Sequence, residues 1–386
     1  MMRIGSITIN NFKSLVNLRL DLAKFNCLIG LNGAGKLTVL QCNDFLAQMV
    51  RGDIKGWLEL RRWKPSDLRS RFLSKRIIEF SMELVKPNGT PIGIWSAHFS
   101  PTANRCTSEM LAVPDGSLEV SGEEITIAYK TGKTSNGSRT KIAFNYEGSM
   151  LSVVKDRLLT PSMLEFKQLI NGLESLDMLT PERLRERTRT ADGSLGYGGR
   201  NLSAFLAELS PDENLKLVKQ LRRAYPQLKK VTSRSLRSGW KQLSATESFG
   251  DVLLRTESRH LNDGMLRLTA ILAELSSEHC VILFDEIENG INPELIEFVI
   301  DNLVKSPKQI VVTTHSPMIL NYLDDDAARQ GVIYLYKTRN GHTQAIPFFS
   351  IPSLAEKLTV MGPGEAFVDT NLTELSAEIA TMAEVQ

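Results

Sequence analysis

An α/β fold is what this sequence predicts, and three observations carry the prediction. A continuous apolar run ends in "CLIG" at residues 27–30 and gives way, after closely spaced glycines, to the helical pattern "LTVLQCNDFLAQMV". Two later runs, "CVILFDE" and "QIVVTTH", have the same apolar character, and each precedes a helix-like segment. Runs of this kind, alternating with helices, mark parallel strands joined by crossover helices. The stretch between the two halves obeys a different rule, with short alternating runs separated by turn clusters.

The elements follow in order. "RIGSITINNFKSLVNLRLDLAKF" alternates at period two and predicts two hairpin strands ahead of the buried one. In residues 77–155, "RIIEFSMELV", "IGIWSAHFS", "EEITIAYK" and "KIAFNYEG" predict an antiparallel sheet, with "KPNGTP" and "KTSNGS" as turns. Residues 161–229 turn helical, as in "NLSAFLAEL" and "ENLKLVKQLRRAY". After residue 315, "LDDDAARQGVIYLYKTRNGHTQ" predicts a closing strand pair. No heptad pattern persists, so no long coiled-coil arm is expected.

Composition sets bounds. The 386 residues, 42% hydrophobic, suffice for one large core or two smaller ones. Lysine and arginine number 46 against 44 acids, a formal charge of +2, so any polyanion binding must be local. Cys27, Cys42, Cys106 and Cys280 form no CxxC pair, which argues against a disulfide framework or a zinc knuckle. The start lacks the apolar core of a signal peptide, and no uncharged apolar run approaches the roughly 18 residues of a membrane span. A cytoplasmic protein without membrane contact is the expectation.

"LIGLNGAGKLTVLQ", residues 28–41, has the glycine spacing of a phosphate-binding loop between strand and helix. In such a loop successive backbone N–H groups surround a phosphate at the positive end of the helix. Asn32, Gly33, Ala34, Gly35, Lys36, Leu37 and Thr38 are the candidate ATP-binding residues, with Lys36 reaching the β- and γ-phosphates. The position after Lys36 normally supplies a hydroxyl to Mg²⁺, and Leu37 has none. Thr38 lies about 100° further round the helix and is a poor substitute. Weakened Mg²⁺ binding is therefore expected, with nucleotide binding retained. A glycine-rich turn without a ligand is the competing reading.

"VILFDEIENGINPELI" ends a buried strand in two acids. Downstream of a phosphate loop, Asp285 can hold Mg²⁺ and Glu286 can orient or deprotonate the attacking water. Acids that merely solvate a strand end are the alternative. His315 leaves "IVVTTHSPMIL" at the same sheet edge, where ligands of open α/β sheets bind, and is the candidate for reaching a γ-phosphate.

In order and character, "GLNGAGKLT", "HLNDGMLRLTAILAEL", "VILFDEIENGINPELI" and "VVTTHSP" resemble the ABC-type ATPase heads of RecF, SMC and overcoming-lysogenization-defect (OLD) proteins. Most similar are compact AAA-domain members frequent among bacterial and phage-defence ATPases, to which "GYGGRNLSAFLAEL" adds a further likeness. The resemblance implies a P-loop NTPase with an ABC-type head, a mixed sheet flanked by helices, carrying an inserted antiparallel β and helical lobe. It divides the chain into residues 1–50 (head with phosphate loop), 51–240 (inserted lobe) and 241–386 (head with signature, Walker B acids and His315). It further implies ATP and Mg²⁺ as cofactors, and a homodimer or higher homo-oligomer. In that assembly Asn262, Asp263 and Gly264, at the start of the signature helix, act in trans on the other subunit's γ-phosphate. The family usually has serine where this chain has Leu37 and Asn262. An Asn-capped amphipathic core helix explains the same segment and is compatible with the trans role.

The expected role is that of an ATP-driven switch that senses nucleic acid or controls an effector, by family analogy in antiviral defence. "RRWKPSDLRSRFLSKR" holds seven cations against one aspartate, so Arg61, Arg62, Lys64, Arg69, Arg71, Lys75 and Arg76 are candidate contacts for DNA or RNA, with Trp63 and Phe72 interleaved. A solvated helix face is the alternative. Arg183, Arg185, Arg187 and Arg189 have local acids, Glu182 and Glu186, to pair with. After His315 about 70 residues remain, too few for a large nuclease domain, so a separate nuclease or toxin is expected as effector. A RecF-like repair ATPase and a non-hydrolysing, ATP-dependent assembly scaffold are the alternatives.

Overall fold

In the computed structural model, which describes residues 2–131, 134–176, 179–371, 374–375 and 378–379, the alternation near the start becomes an antiparallel hairpin. Its strands are β1 (Arg3–Asn10) and β2 (Leu18–Asp21), with Ile7 opposite Leu20 and Ile9 opposite Leu18, all buried. β3 (Phe25–Ile29) is buried at every position and runs through the glycine loop into α1 (Lys36–Arg51), which α2 (Ile54–Arg61) follows.

The hairpin is the start of a larger sheet. β4 (Ile78–Val85) pairs with β1, and β5 (Pro91–Ser100), β6 (Arg105–Val113), β7 (Gly116–Ser121), β8 (Glu124–Thr131) and β9 (Thr134–Lys141) continue as an antiparallel meander. Period-two alternation buries one face, including Phe80, Met82, Trp95, Phe99, Leu111 and Leu118. Against it packs α3 (Pro161–Asn171), whose Phe166 ring lies 5.8 Å from that of Trp95. The sheet departs from the sequence reading at its far edge. "KTSNGS" was expected as a turn and "KIAFNYEG" as a strand, but Thr134–Lys141 forms β9 and residues 142–148 form no strand. Thr131 opposes Thr134, and residues 132–133 lie outside the described set.

The chain packs as two units. One comprises Met1–Leu173, Asp326–Val360 and Asn371–Gln386, the other Glu174–Asp325 and Met361–Thr370. These limits differ from the boundaries expected near residues 50 and 240. Pairing of β4 along β1 ties the inserted strands to the N-terminal ones in a single sheet.

In the second unit, β10 (Leu173–Leu176) begins at the boundary, and α4 (Pro181–Leu184), α5 (Leu202–Glu208) and α6 (Pro211–Ala224) follow. α6 starts in a capping box between Ser210 and Glu213. β11 (Leu228–Ser235), β12 (Lys241–Phe249) and β13 (Val252–Glu257) form an antiparallel sheet backed by α5. Next come α7 (Asp263–Leu275), β14 (Val281–Phe284), α8 (Ile296–Lys305) and β15 (Gln309–Thr313). β14 and β15 are parallel, with Val281 opposite Gln309 and Phe284 opposite Val312. This is the βαβ unit that the two apolar runs predict.

Returning to the first unit, β16 (Val332–Lys337) lies parallel to β3 and β17 (Thr343–Pro347) antiparallel to β16, the expected closing pair. The architecture is the expected mixed α/β one, with sheets flanked by helices. Among the described residues no helix is long and apolar enough to cross a membrane, and no disulfide joins the four cysteines.

Candidate functional site

The glycine loop is shaped by backbone angles that its side chains permit. Gly35 has φ 114°, and a Cβ there would come within 2.4 Å of the Thr343 hydroxyl. Gly30 has φ 146°, and its Cβ would meet the Leu335 carbonyl oxygen at 2.2 Å. Neither position accepts another residue without moving β16 or β17. Between them Ala34 closes a turn by donating its N–H to the Leu31 carbonyl at 3.1 Å. Asn32 and Gly33 are exposed at the tip.

Lys36 opens α1 and is 7% exposed. Its Nζ donates to the carbonyls of Gly30 at 2.8 Å and Leu31 at 3.4 Å, which folds the ammonium over the loop. Leu37 and Thr38 are half-buried in the first turn. Thus the first turn offers backbone N–H groups and one ammonium to an anion, while the Mg²⁺ position adjoining Lys36 carries a hydrocarbon side chain.

Thr343, which the sequence reading passed over inside the closing strand pair, supports this loop from β17. It is fully buried, and its hydroxyl donates to the Ala34 carbonyl at 2.9 Å while Lys337 Nζ and Ser14 Oγ each lie 2.9 Å away. Burial lowers the Lys337 pKa from its ordinary value. A threonine in "NGHTQ" gives no sign of this role in sequence.

In the second unit the parallel register of β14 and β15 brings Asp285, Glu286 and His315 to one strand-end edge. Thr313, fully buried at the end of β15, links the two acids: its hydroxyl donates to Asp285 Oδ1 at 2.6 Å and accepts from the Glu286 N–H at 2.8 Å. Glu286 has φ 44°, a left-handed conformation that is costly for a side chain with Cβ. Its Oε1 stands 4.0 Å from His315 Nε2, both side chains being partly exposed, and the His315 N–H donates to Glu288 Oε1 at 2.9 Å.

The signature segment lies in the same unit. Asn262 caps α7, its Oδ1 accepting the Met265 N–H at 2.7 Å. Asp263 pairs with Arg185, and a Cβ on Gly264 would sit 3.2 Å from the Gly290 carbonyl. Arg267, one turn on, donates to the carbonyls of Asn289 and Leu179, fastening α7 to the turn after the acids. Burial pulls the Arg267 pKa down, against the attraction of Glu286, Asp263 and Glu288.

The basic segment 61–76 fares less well. The Arg61 side chain is 6% exposed and paired with buried Asp44 at 2.6 Å, so it is corrected from surface contact to core ion pair. Trp63 packs edge-on against Trp57, with Lys13 Nζ 3.3 Å from its ring centroid, and is not a free stacking platform. Lys75 pairs with Glu79 at 3.4 Å. Arg69 is half-buried, while Arg62, Lys64, Arg71 and Arg76 are exposed, as is Phe72. The arginines at 183–189 find partners other than their expected neighbours: Arg185 meets Asp263, Arg187 lies 3.8 Å from Glu257, and Arg183 and Arg189 lie over Tyr197 and Trp240.

Comparison with known proteins finds two matching segments and a similar fold. Residues 2–148 match a family model described as "AAA ATPase domain", and residues 217–321 one described as "AAA domain, putative AbiEii toxin, Type IV TA system". No protein of curated function matches the chain. Among solved structures, the chain is similar to an SMC head bound to the C-terminal winged-helix domain of ScpA, at 14% identity and TM-score 0.55, covering 89% of this chain and 96% of that one. It is also similar to a Pyrococcus furiosus SMC head with an extended coiled coil bound to the C-terminal domain of ScpA, at 14% identity and TM-score 0.51, covering 93% and 100%. The fold is similar to that of SMC heads, and two segments of the sequence match AAA-domain family models, the first of them described as an ATPase domain.

Proposed function

We propose that the chain is an ATP-binding, ATP-hydrolysing switch that works as a dimer or higher homo-oligomer and controls a partner effector or senses nucleic acid, in antiviral defence. The narrower kinship with RecF and OLD ATPases, and the division into a head (1–50, 241–386) and an insertion (51–240), belong to the same proposal. The observation that carries it is the loop before α1, where Gly30 and Gly35 admit no Cβ and Lys36 lies folded over backbone carbonyls. A surface turn without a ligand has no need of so crowded a backbone.

In this reading the loop amides from Asn32 to Thr38 and Lys36 hold the phosphates. Asp285 would hold Mg²⁺, Glu286 would orient or deprotonate water, His315 would reach the γ-phosphate, and Asn262 to Gly264 would serve a partner subunit's nucleotide. The donor set fits the phosphates fully and the metal in part, because Leu37 removes one oxygen ligand. Description of the second matching family as a toxin of a toxin–antitoxin system supports the effector and defence reading. The second functional reading, a scaffold that assembles on ATP without turnover, is favoured by Leu37 alone.

One experiment separates them. ATP binding, hydrolysis and oligomer size are measured with and without DNA, for this chain and for Leu37→Ser. Loss of a charge-linked contact of about 1.5–3 kcal/mol corresponds to one to two orders of magnitude in rate. A rise of that size on restoring serine supports the enzyme. Unchanged slow turnover with ATP-driven assembly supports the scaffold, and absence of ATP binding refutes both.

A further inference from the structure

Residues 222–246 hold seven cations, Arg222, Arg223, Lys229, Lys230, Arg234, Arg237 and Lys241, and no acid. Six of them are exposed and Lys241 is half-buried. Register sorts the strand residues into faces. Val231 opposite Ala245, and Ser233 opposite Leu243, turn toward α5, where Ser233 Oγ donates to the Ser203 carbonyl. The other face carries Lys230, Thr246 and Arg255 in one row across three strands, Thr232, Ser244 and Glu257 in the next, and Arg234 beyond.

On that face Arg255 lies flat, its Nε and Nη2 donating to Ser244 Oγ at 3.2 and 3.0 Å. Glu257, its one carboxylate, is matched by Arg259 at 3.3 Å and Arg187 at 3.8 Å. Lys230, Arg234 and Arg237 have no carboxylate partner among the described residues. At the hairpin between β11 and β12, Trp240 is 41% exposed, with the Arg189 guanidinium 5.2 Å from its ring centroid. Unneutralised cations, hydroxyls and an exposed indole beside an arginine suit a sugar-phosphate backbone with an unstacked base.

We propose that this face of β11–β13 and its hairpin bind a nucleic-acid strand, with Lys230, Arg234 and Arg237 on phosphates and Trp240 stacking a base. The inference deepens the nucleic-acid part of the proposed function and rests on it. It locates that function away from residues 61–76, where Arg61 and Trp63 are engaged in packing. Phosphates are common to duplex and single strand; the indole favours the single strand.

The test is an anisotropy titration of the full chain with a labelled single-stranded oligonucleotide and its duplex over a range of salt concentrations. Neutralising Lys230→Gln, Arg234→Gln and Arg237→Gln together should lower the salt slope for single strands by about two, from about 0.7 per phosphate contact. Trp240→Ala should weaken single-strand binding about tenfold and duplex binding little. Arg71→Gln with Arg76→Gln should change neither. An unchanged slope in the triple variant, no binding by the native chain at low salt, or loss through Arg71 and Arg76 instead overturns the proposal. Silence of Trp240→Ala overturns the stacked base. Nucleotide affinity is read on the same samples: strand binding without ATP binding sinks the ATPase reading and leaves this surface, and the reverse result sinks only the surface.

Discussion

The loop after β3 and the acidic edge after β14 are supported by the same device applied to different groups. In each, a fully buried threonine on another strand of its own unit holds the functional segment, Thr343 for the loop and Thr313 for the edge. Thr343 grips a backbone carbonyl, and the conformation it steadies is one that glycine adopts without cost. Thr313 grips the carboxylate of the Mg²⁺ candidate Asp285, and beside it Glu286 keeps a left-handed backbone that only glycine would find easy. The loop is shaped by main chain and so tolerates any side chain that its glycines allow. The edge is shaped by side chains and carries strain of about 1–2 kcal/mol at the residue proposed to handle water.

The largest expected effect tests the first half of this comparison. Lys36→Ala removes the one ammonium of the loop and should lower ATP affinity by about a hundredfold or more, measured by calorimetry. Tight binding in that variant would sink the loop assignment, since a backbone cradle alone would then suffice. Next comes Glu286→Gln, which leaves the strained backbone in place and removes only the base. Turnover should fall by about 10²–10⁴-fold with ATP affinity retained, and a long-lived loaded oligomer should appear on gel filtration. Glu286→Gly sharpens the point: thermal stability should hold or rise, by up to about 1 kcal/mol, while hydrolysis is lost. A marked drop in stability would mean that the left-handed conformation is not strained.

The two regions also differ in how far the sequence announces them. Glycines at 30, 33 and 35 spell the loop because backbone with positive φ has few alternatives to glycine. Asp285, Glu286 and His315 were legible as strand ends through apolar runs before them, but Thr313 was not, since a threonine at a strand end is ordinary. The same holds for Arg61. Its charge was legible, while its fate depended on Asp44 lying one α1 face away and on Trp57 beneath it, contacts that composition does not encode. Parallel strands, the antiparallel lobe and the closing pair followed from periodicity. The limits of the two units did not, because they depend on β4 pairing with β1 across nearly seventy residues of chain.

A smaller effect is expected from Thr343→Val. Valine orphans the buried Ala34 carbonyl and takes an acceptor from the Lys337 ammonium, which costs about 1–3 kcal/mol in stability and loosens ATP binding. The pH dependence has a definite sign. Burial already depresses the native Lys337 pKa below its unfolded value, so the native state binds fewer protons between the two and stability rises with pH across that window. The variant's deficit should be largest below the depressed value, where the ammonium is charged, and should shrink as pH passes through it. A pH-independent deficit would place the cost in packing instead.

Thr313→Val should have a smaller effect on folding than Thr343→Val and the most selective effect on chemistry. Asp285 is half-buried and Glu286 exposed, so water can replace part of what the hydroxyl supplies, and a stability loss of about 0.5–1.5 kcal/mol is expected. What water cannot replace is orientation. Without the 2.6 Å bond to Oδ1 the Asp285 carboxylate loses the hydroxyl that orients that oxygen, and without an acceptor at 2.8 Å the Glu286 N–H no longer anchors the left-handed turn. The Mg²⁺ concentration for half-maximal turnover should therefore rise several-fold, while the affinity for metal-free ATP, which depends on the loop, stays unchanged. Thr343→Val should show the opposite pattern. If both variants shift metal dependence and nucleotide affinity together, the two threonines do not serve separate groups, and the division between a backbone-shaped loop and a side-chain-shaped edge fails.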